Sequence, residues 1–484
     1  MRNSRTNPPD WSASIPVSPE GGGRRAALYA AVRRTIETGG LAPGAKLPTT
    51  RELAARFGIS RGAAVAAYEM LVADGFAEAR VGAGTFVAAR VPQFAETPRS
   101  PPPPPAREPA ILPGTLGVGM EDERTARILR RLFDRRLARP TLHDRAYGDP
   151  RGTPALRAEI AAHLRAARGV KCSADHVIVT SGSQHGLDLV VRAALRPGEP
   201  VWIEDPCYPM ALAALRGAGL AVTGVPVDGE GLSVAAGERL APRARAVYVT
   251  PSHQFPLGVA MTMARRLELI DWAKRVGAWI VEDDYDSEFR HAGAPLASLQ
   301  GIDDGGRVIH LGTFSKALSP ALRVGWVVAP PELVEAIVEV RARSDRFAPR
   351  LVEDVLADLM REGHFAAHIR RSRRRAREGR DALVTGLAGT PLTVAVPDQG
   401  LHLIAELPDG LRDTDLVPAV LAAGLGVRAL SSTYVAAPPR QGFVIGFSGF
   451  HSTDYEAAAR RVGPVIERAI EMRRRSFQRR LAGE

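Results

Sequence analysis

Two folded parts of different class are expected in this chain: a small winged helix-turn-helix, and behind it a much larger α/β part carrying a smaller α+β lobe. Three observations predict this. Three helical stretches and a short hairpin fill residues 24–90. After residue 112, apolar strand-like runs alternate with helices, and five of those runs end in polar side chains. Between the two lie five consecutive prolines, Pro101 to Pro105. A length of 484 residues also exceeds one ordinary domain.

The boundaries follow in order. Residues 1–23 are polar, contain Pro and Gly, and are expected to be disordered. A first helix is predicted from Arg24 to about Thr38, with Leu28, Val32 and Ile36 on one stripe. Thr49 with Glu52 three residues later forms a capping box that opens a short helix to Phe57. Gly58 turns the chain and Ser60 caps a third helix through Val65, Tyr68 and Leu71 to Ala73. Two short strands around Val81-Gly82-Ala83-Gly84 then make a wing. In this arrangement the third helix enters the major groove of double-stranded DNA. Its first residues, Ser60, Arg61 and Gly62, stand nearest the bases, and Arg51 and Arg61 are the cations best placed for phosphates or guanine edges.

Residues 91–112 read as a polyproline linker, a semi-rigid spacer with no core of its own. The large part is expected over 113–474, with a basic tail at 475–484. Its strands run Val177–Thr180, Val201–Ile203, Val247–Val249, Trp279–Val281 and Val308–Leu311, and open sheets of this kind bind ligands at the carboxyl ends of their strands. The last ~85 residues are read as the smaller lobe, with strands near Leu401–Ala405 and Phe443–Phe447. The Arg-rich run His368 to Arg380 is expected to be a solvated helix face.

Composition narrows the function. The net charge is +11, with ten Lys and Arg against five acids between residues 21 and 90, so a polyanion partner is expected at that end. Two cysteines, Cys172 and Cys207, exclude a disulfide framework and a four-cysteine zinc site. The eleven histidines show no metal-ligand spacing, and no metal is expected. No apolar run approaches the ~20 residues of a membrane span, and the first residues lack the apolar core of a signal peptide, so a cytosolic, membrane-free protein is expected.

Only four of the 64 cationic residues are lysines: 46, 171, 274 and 316. Lys316 follows the strand at 308–311, and an amine there can do what guanidinium cannot, which is to form a Schiff base. Taken alone, that lysine fits an aldolase or a decarboxylase as well as a cofactor enzyme. Its companions point to pyridoxal phosphate, which needs an amine, an acid for the pyridine nitrogen, a phosphate cradle and ring support. Asp283 ends a buried strand and can serve the ring nitrogen; Ser181-Gly182-Ser183-Gln184 at a helix N-terminus offers a phosphate seat. Ser315 and Arg323 add a hydroxyl and a cation, and Tyr285 and Tyr208 offer a hydrogen bond to the ring oxygen or a stacking surface.

Two resemblances sharpen these readings. The segment LPTTRELAARFGISRGAAVAAYEMLVADGFAEARVGAGTFV resembles the GntR-type winged helix, whose motif has the form LPSxRxLAxxLGxSRxTVxxAYxxLxxxGxxxxxxGxGTFV. Ala63 departs from it where a Thr is usual, removing one hydroxyl contact to DNA. YGDPRGTPALR, VTSGSQHGLDL, WIEDPCYP, YVTPSHQFPLGVAM, WIVEDDYDSEF and GTFSKALSPALRVGW together resemble a fold-type-I, aspartate-aminotransferase-like domain. The combination resembles the MocR-type transcriptional regulators.

That resemblance implies roles residue by residue. Lys316 would form the Schiff base and Asp283 would hold the pyridine nitrogen. Tyr285 would contact the phenolic oxygen and Tyr208 would stack on the ring. Ser183, Gln184, Ser315 and Arg323 would surround the phosphate. Tyr147 would reach the site of a partner subunit in a homodimer. Two departures stand out: Pro251-Ser252-His253-Gln254 replaces a usual Asn, so His253 is expected to fill that space, and the strand Phe443–Phe447 lacks the Arg that grips a substrate carboxylate, leaving Arg440 as the substitute. The function implied is a DNA-binding regulator that senses a small amine, an amino acid or the cofactor itself. The alternative is a working aminotransferase with an appended DNA-binding domain.

Overall fold

The computed structural model describes residues 24–91, 110–293 and 296–481. The expected disordered segment 1–23 and nearly all of the proline linker lie outside the described residues. The chain divides into two compact units, residues 1–108 and 109–484.

The first unit holds α1 (Arg24–Glu37), α2 (Thr50–Phe57), α3 (Arg61–Ala73), β1 (Ala77–Arg80) and β2 (Gly84–Val87). The stripe Leu28, Val32 and Ile36 is buried against Leu53, Ala64, Leu71 and Phe76, so the helical period seen in the sequence is the face that makes the core. The capping box is formed: Glu52 N donates to Thr49 Oγ1 at 3.2 Å and Thr49 N to Glu52 Oε2 at 2.8 Å. Gly58 takes the left-handed conformation (φ 59°) that ends α2, and Ser60 Oγ accepts from Ala63 N at 3.1 Å to start α3. β1 and β2 pair antiparallel, Arg80 opposite Gly84, and form the wing.

The second unit is built on an eight-stranded sheet. Its strands are β3 (Val177–Thr180), β4 (Pro200–Asp205), β5 (Ala221–Asp228), β6 (Gly231–Leu232), β7 (Ala246–Val249), β8 (Trp279–Asp284), β9 (Val308–Thr313) and β10 (Gly325–Val328), in the order β3-β10-β9-β8-β7-β4-β5-β6. β4, β7, β8 and β9 run parallel; β10 is antiparallel to both β9 and β3, which makes β3 parallel to the rest. Every residue of β3, β7 and β9 is buried, as a parallel sheet covered on both faces requires. The smaller lobe has β11 (Thr393–Val394), β12 (His402–Glu406), β13 (Arg428–Ala429) and β14 (Gly442–Gly446) in the antiparallel order β11-β12-β14-β13.

Two expectations need correction. The helix Gly463–Leu481 runs through most of the predicted basic tail, because Val465, Ile466 and Ala469 on one face pack into the small lobe's core and carry the helix on. The Arg-rich run, in the helix His364–Leu387, is not simply a solvated face. Arg371 pairs with Asp122 at 2.8 Å, and Arg375 and Arg380 donate to the carbonyls of Met120 (3.1 Å) and Pro397 (2.8 Å). Arg373 and Arg377 donate to the carbonyls of Glu288 and His291. The helix borders irregular segments whose backbone acceptors need donors, and the guanidinium fork supplies them.

Candidate functional site

Because β3, β4, β7, β8 and β9 point the same way, their carboxyl ends open on one edge of the sheet. There they enclose a cavity of about 250 Å³.

One end of the cavity suits an anion. Ser183 begins a twelve-residue helix, preceded by Gly182 at φ 99°, so free N–H groups and the positive end of the helix dipole face inward. Ser183, Gln184, Ser315 and Arg323 all line this end. Arg323 sits in the left-handed region (φ 49°), and its Nη2 donates to Ser181 O at 2.6 Å. The positive φ of Gly182, rather than crowding by that guanidinium, is what calls for glycine at this turn. Gln184 turns its amide to Met210 O at 3.0 Å.

Lys316 and Asp283 occupy the middle. Lys316 follows β9 in the short helix Phe314–Ala317. Burial pushes its amine below the ordinary lysine value, while the charges of Asp286 and Asp283 pull the other way. Gly117 makes room: a Cβ there would lie 3.2 Å from Nζ. Asp283 Oδ2 accepts from the Tyr248 hydroxyl at 2.5 Å, but its buried Oδ1 has no partner among the described residues. Burial pushes the Asp283 carboxyl up to about 6. Tyr285 donates to His253 O at 2.9 Å, and Tyr208 lines the cavity with its ring edge-on to Phe255.

Asp284, next along β8, points the other way and anchors the strand. Its Oδ2 accepts from Arg168 Nε at 2.8 Å, and Arg168 also donates to Ser252 Oγ at 2.6 Å. Although burial opposes it, Arg168 and His310 hold the Asp284 carboxyl below the ordinary range. This ion pair fixes both β8 and the loop after β7, the two segments that carry Asp283 and the cavity wall. Leu116, Phe255, Leu401, His402 and Arg428 also line the cavity.

Two sequence expectations move. His253 does not line the cavity: it is buried behind Tyr285 with Nδ1 2.9 Å from Asp286 Oδ2, and Phe255 of the same loop faces the cavity instead. Arg440, just before β14, is exposed and ion-paired with Glu406, outside the cavity. Arg428 of β13 lines the cavity, opposite Val444 of β14, and has no ion-pair partner among the described residues. Tyr147 is 76% exposed and contributes nothing to this chain's cavity; it packs edge-on to Phe347 with Arg346 over its ring. The sequence reading also missed Tyr248 and Asp286. Tyr248 could have been found as the one side chain with a polar atom in the apolar run of β7; Arg428 sits on a strand too short to show any period.

On the first unit Arg51, Ser60, Arg61 and Gly62 are all exposed, at the start of α2 and α3. The Ser60 hydroxyl is committed to its cap, which leaves Arg51 and Arg61 as the free reaching groups of the four.

The residues fit pyridoxal phosphate on three counts: a largely buried amine, an unpaired buried carboxylate oxygen in the same cavity, and an anion seat at one end. Comparisons with known proteins agree. Residues 24–87 match the model for bacterial regulatory proteins of the gntR family, and residues 127–462 that for aminotransferase class I and II. The chain is 36% identical over 449 residues to a probable rhizopine catabolism regulatory protein, MocR, of Rhizobium meliloti, covering 87% of this chain and 89% of that one. It is 33% identical over 439 residues to the pyridoxine biosynthesis transcriptional regulator PdxR of Corynebacterium glutamicum, covering 87% and 91%. Among solved structures it resembles an archaeal alanine:glyoxylate aminotransferase, with TM-score 0.70, 24% identity, and 74% and 91% of the two chains covered. It also resembles the Pyrococcus horikoshii kynurenine aminotransferase, with TM-score 0.68, 26% identity, and 74% and 92% covered.

Proposed function

The chain belongs to the MocR-type regulators, in which a GntR winged helix is joined to an aminotransferase class I and II domain, and from that premise we propose that it regulates transcription by reading a small amine at Lys316 through bound pyridoxal phosphate. One observation carries the cofactor reading: Asp283 keeps a buried oxygen unpaired in the cavity that also holds Lys316. An orphaned acceptor of that kind costs about 1–3 kcal/mol, and a protonated ring nitrogen would satisfy it. Bound there, pyridoxal phosphate supplies an aldehyde that condenses with amines and a ring that withdraws electrons.

The chain's own residues have separable tasks in this reading. Lys316 provides the amine. Asp283, held by Tyr248, keeps the ring nitrogen protonated. Ser183, Gln184, Ser315 and Arg323 with the helix N-terminus hold the phosphate. Tyr285 and Tyr208 fix the ring, and Tyr147 is assigned to the partner's site in a homodimer. Arg428 and the apolar wall of Leu116, Phe255 and Leu401 form the effector's end, which favours a short amine carrying a carboxylate. Arg51 and Arg61 contact the operator.

The test is the visible absorption of the purified holoprotein during titration with amines, amino acids and free pyridoxal phosphate. A band that shifts with ligand and stays shifted, with a parallel change in operator affinity, is the expected result. Operator affinity that ignores every ligand would sink the sensing model. The second reading, a working aminotransferase, is favoured by the presence of both Lys316 and an unpaired cavity cation, Arg428. It wins if the band converts to the aminated cofactor and an added keto acid restores it.

A further inference from the structure

Resting on the reading of Lys316 as the Schiff-base lysine, we propose that Asp286 is the charge partner of the Lys316 amine and, clamped by His253, passes the state of that amine to the small lobe through the Leu401 backbone. Asp286 comes two residues after the end of β8 and is 1% exposed, yet it lines the cavity that holds Lys316. Its two oxygens are used differently. Oδ2 accepts from His253 Nδ1 at 2.9 Å and from Leu401 N at 3.2 Å. Oδ1 makes no hydrogen bond among the described residues, so one side of the carboxylate is committed to structure and the other is left for the cavity.

The clamp is built rather than incidental. Tyr285 donates to His253 O at 2.9 Å, and Gly400, at φ 80°, is packed so closely on the imidazole that a Cβ there would lie 1.9 Å from Cε1. His253 Nε2 is buried without a partner among the described residues. With no acceptor for Nε2, the ring carries its proton on Nδ1 and donates it to Asp286. That bond tethers Oδ2 and leaves Oδ1 uncommitted.

Leu401 connects this to the small lobe. It immediately precedes β12, and its carbonyl accepts from Phe447 N at 2.9 Å, just past β14. A carboxylate that holds Leu401 N is therefore bonded to the end of the small lobe's two central strands. The other titratable or charged groups lining the cavity with the pair are Asp283 on β8, Tyr285 just past it, Tyr248 on β7, Tyr208 after β4, Arg323 before β10, and His402 and Arg428 from the small lobe. Among all these, Lys316 is the one whose charge changes with cofactor chemistry, because Nζ carries a full ammonium charge only while it is a free amine. Gain of that charge draws Asp286 toward Nζ and loosens its hold on Leu401; loss of it returns the carboxylate to the backbone.

The chain's four lysines make the test direct. In full-length apoprotein labelled at lysine Cε with carbon-13, Lys316→Ala identifies the Lys316 signal, and pH titration of that signal reads its ionisation. Asp286→Asn should lower the midpoint by one pH unit or more, a tenfold change in ionisation; Asp286→Glu should restore most of it, and His253→Gln should lower it by less than Asp286→Asn. Hydrogen exchange of amides 401–406 should differ at least threefold between native apoprotein and Lys316→Ala. An unmoved midpoint in folded Asp286→Asn overturns the pairing, and identical exchange in Lys316→Ala overturns the transmission. Failure of the cofactor reading would look different: added pyridoxal phosphate would keep the spectrum of the free compound and would not stay with native protein on gel filtration, whatever the lysine titration shows.

Discussion

Glu204, the fifth residue of β4, is enclosed beneath the cavity, where Thr250 Oγ1 donates to it at 2.6 Å and Gln254 Nε2 at 3.2 Å. These bonds do not offset its desolvation, and burial pushes the carboxyl up to about 7. The sign of the resulting pH dependence follows from proton counting. Between an unfolded value of 4.5 and a folded value near 7, the native state holds a proton that the unfolded chain has released. Stability therefore falls as pH rises through that window, by an amount on the order of 2–3 kcal/mol. Asp283, raised to about 6, adds to the same slope in apoprotein. Urea unfolding at pH 5 and pH 8 should show this loss, and Glu204→Gln should remove much of the slope; an equally steep slope in the variant would mean that Glu204 is not the source. Asp283→Asn should weaken pyridoxal phosphate binding tenfold or more, ~1.4 kcal/mol, in an equilibrium titration, with thermal stability of the apoprotein unchanged or raised. Lys316 and Asp283 were legible because each ends an apolar run, and Lys316 stands out in a chain with few lysines. Asp286 and Arg428 were not, since what marks them is a neighbour over a hundred residues distant: Leu401 for one, the cavity itself for the other.

At the level of elements, the signals that read correctly were local ones. The Thr49–Glu52 box, the left-handed Gly58 and the Ser60 cap each depend on residues two to four apart, so α2 and α3 fall where spacing puts them. β13 is two residues long and exists only because β14 pairs with it, Arg428 opposite Val444 and Ala429 opposite Phe443, which no window along the sequence can reveal. Thr49→Ala removes the cap acceptor and should destabilise the N-terminal unit by about 1 kcal/mol. Because that unit is compact by itself, calorimetry should show the lower-melting change there and an unaltered transition for the second unit. Arg61 stands exposed at the first position of α3, with no part in the hydrophobic core. Arg61→Ala should raise the operator dissociation constant about tenfold, ~1.4 kcal/mol, measured by fluorescence anisotropy. Loss of the cofactor band in the same variant would contradict the separation of the two units.

Across the whole molecule, regulation requires that a ligand favour one arrangement over another, since equal affinity for two states shifts neither. The second unit has a joint suited to this. Asp205, at the end of β4, accepts three backbone hydrogen bonds, from Val435, Ala436 and Ala437, each at 2.8 Å. Cys207 N adds a fourth link, to Thr433 O at 2.9 Å. These bonds tie the large sheet to the segment that follows β13, the strand that carries Arg428 to the cavity. A carboxylate receiving three N–H groups is a strong fixed point, so the position of Arg428 is set from the large sheet as well as from its own lobe. Asp205→Ala removes all three acceptor contacts while leaving every cavity-lining side chain in place. Hydrogen exchange over 431–437 should accelerate, and the ligand concentration that half-shifts the cofactor band should rise at least fivefold. Operator affinity without ligand should stay within twofold of native, because no DNA-contacting residue has changed. If instead ligand response is untouched while exchange accelerates, the joint is a structural tie only, and effector recognition rests on the cavity wall alone.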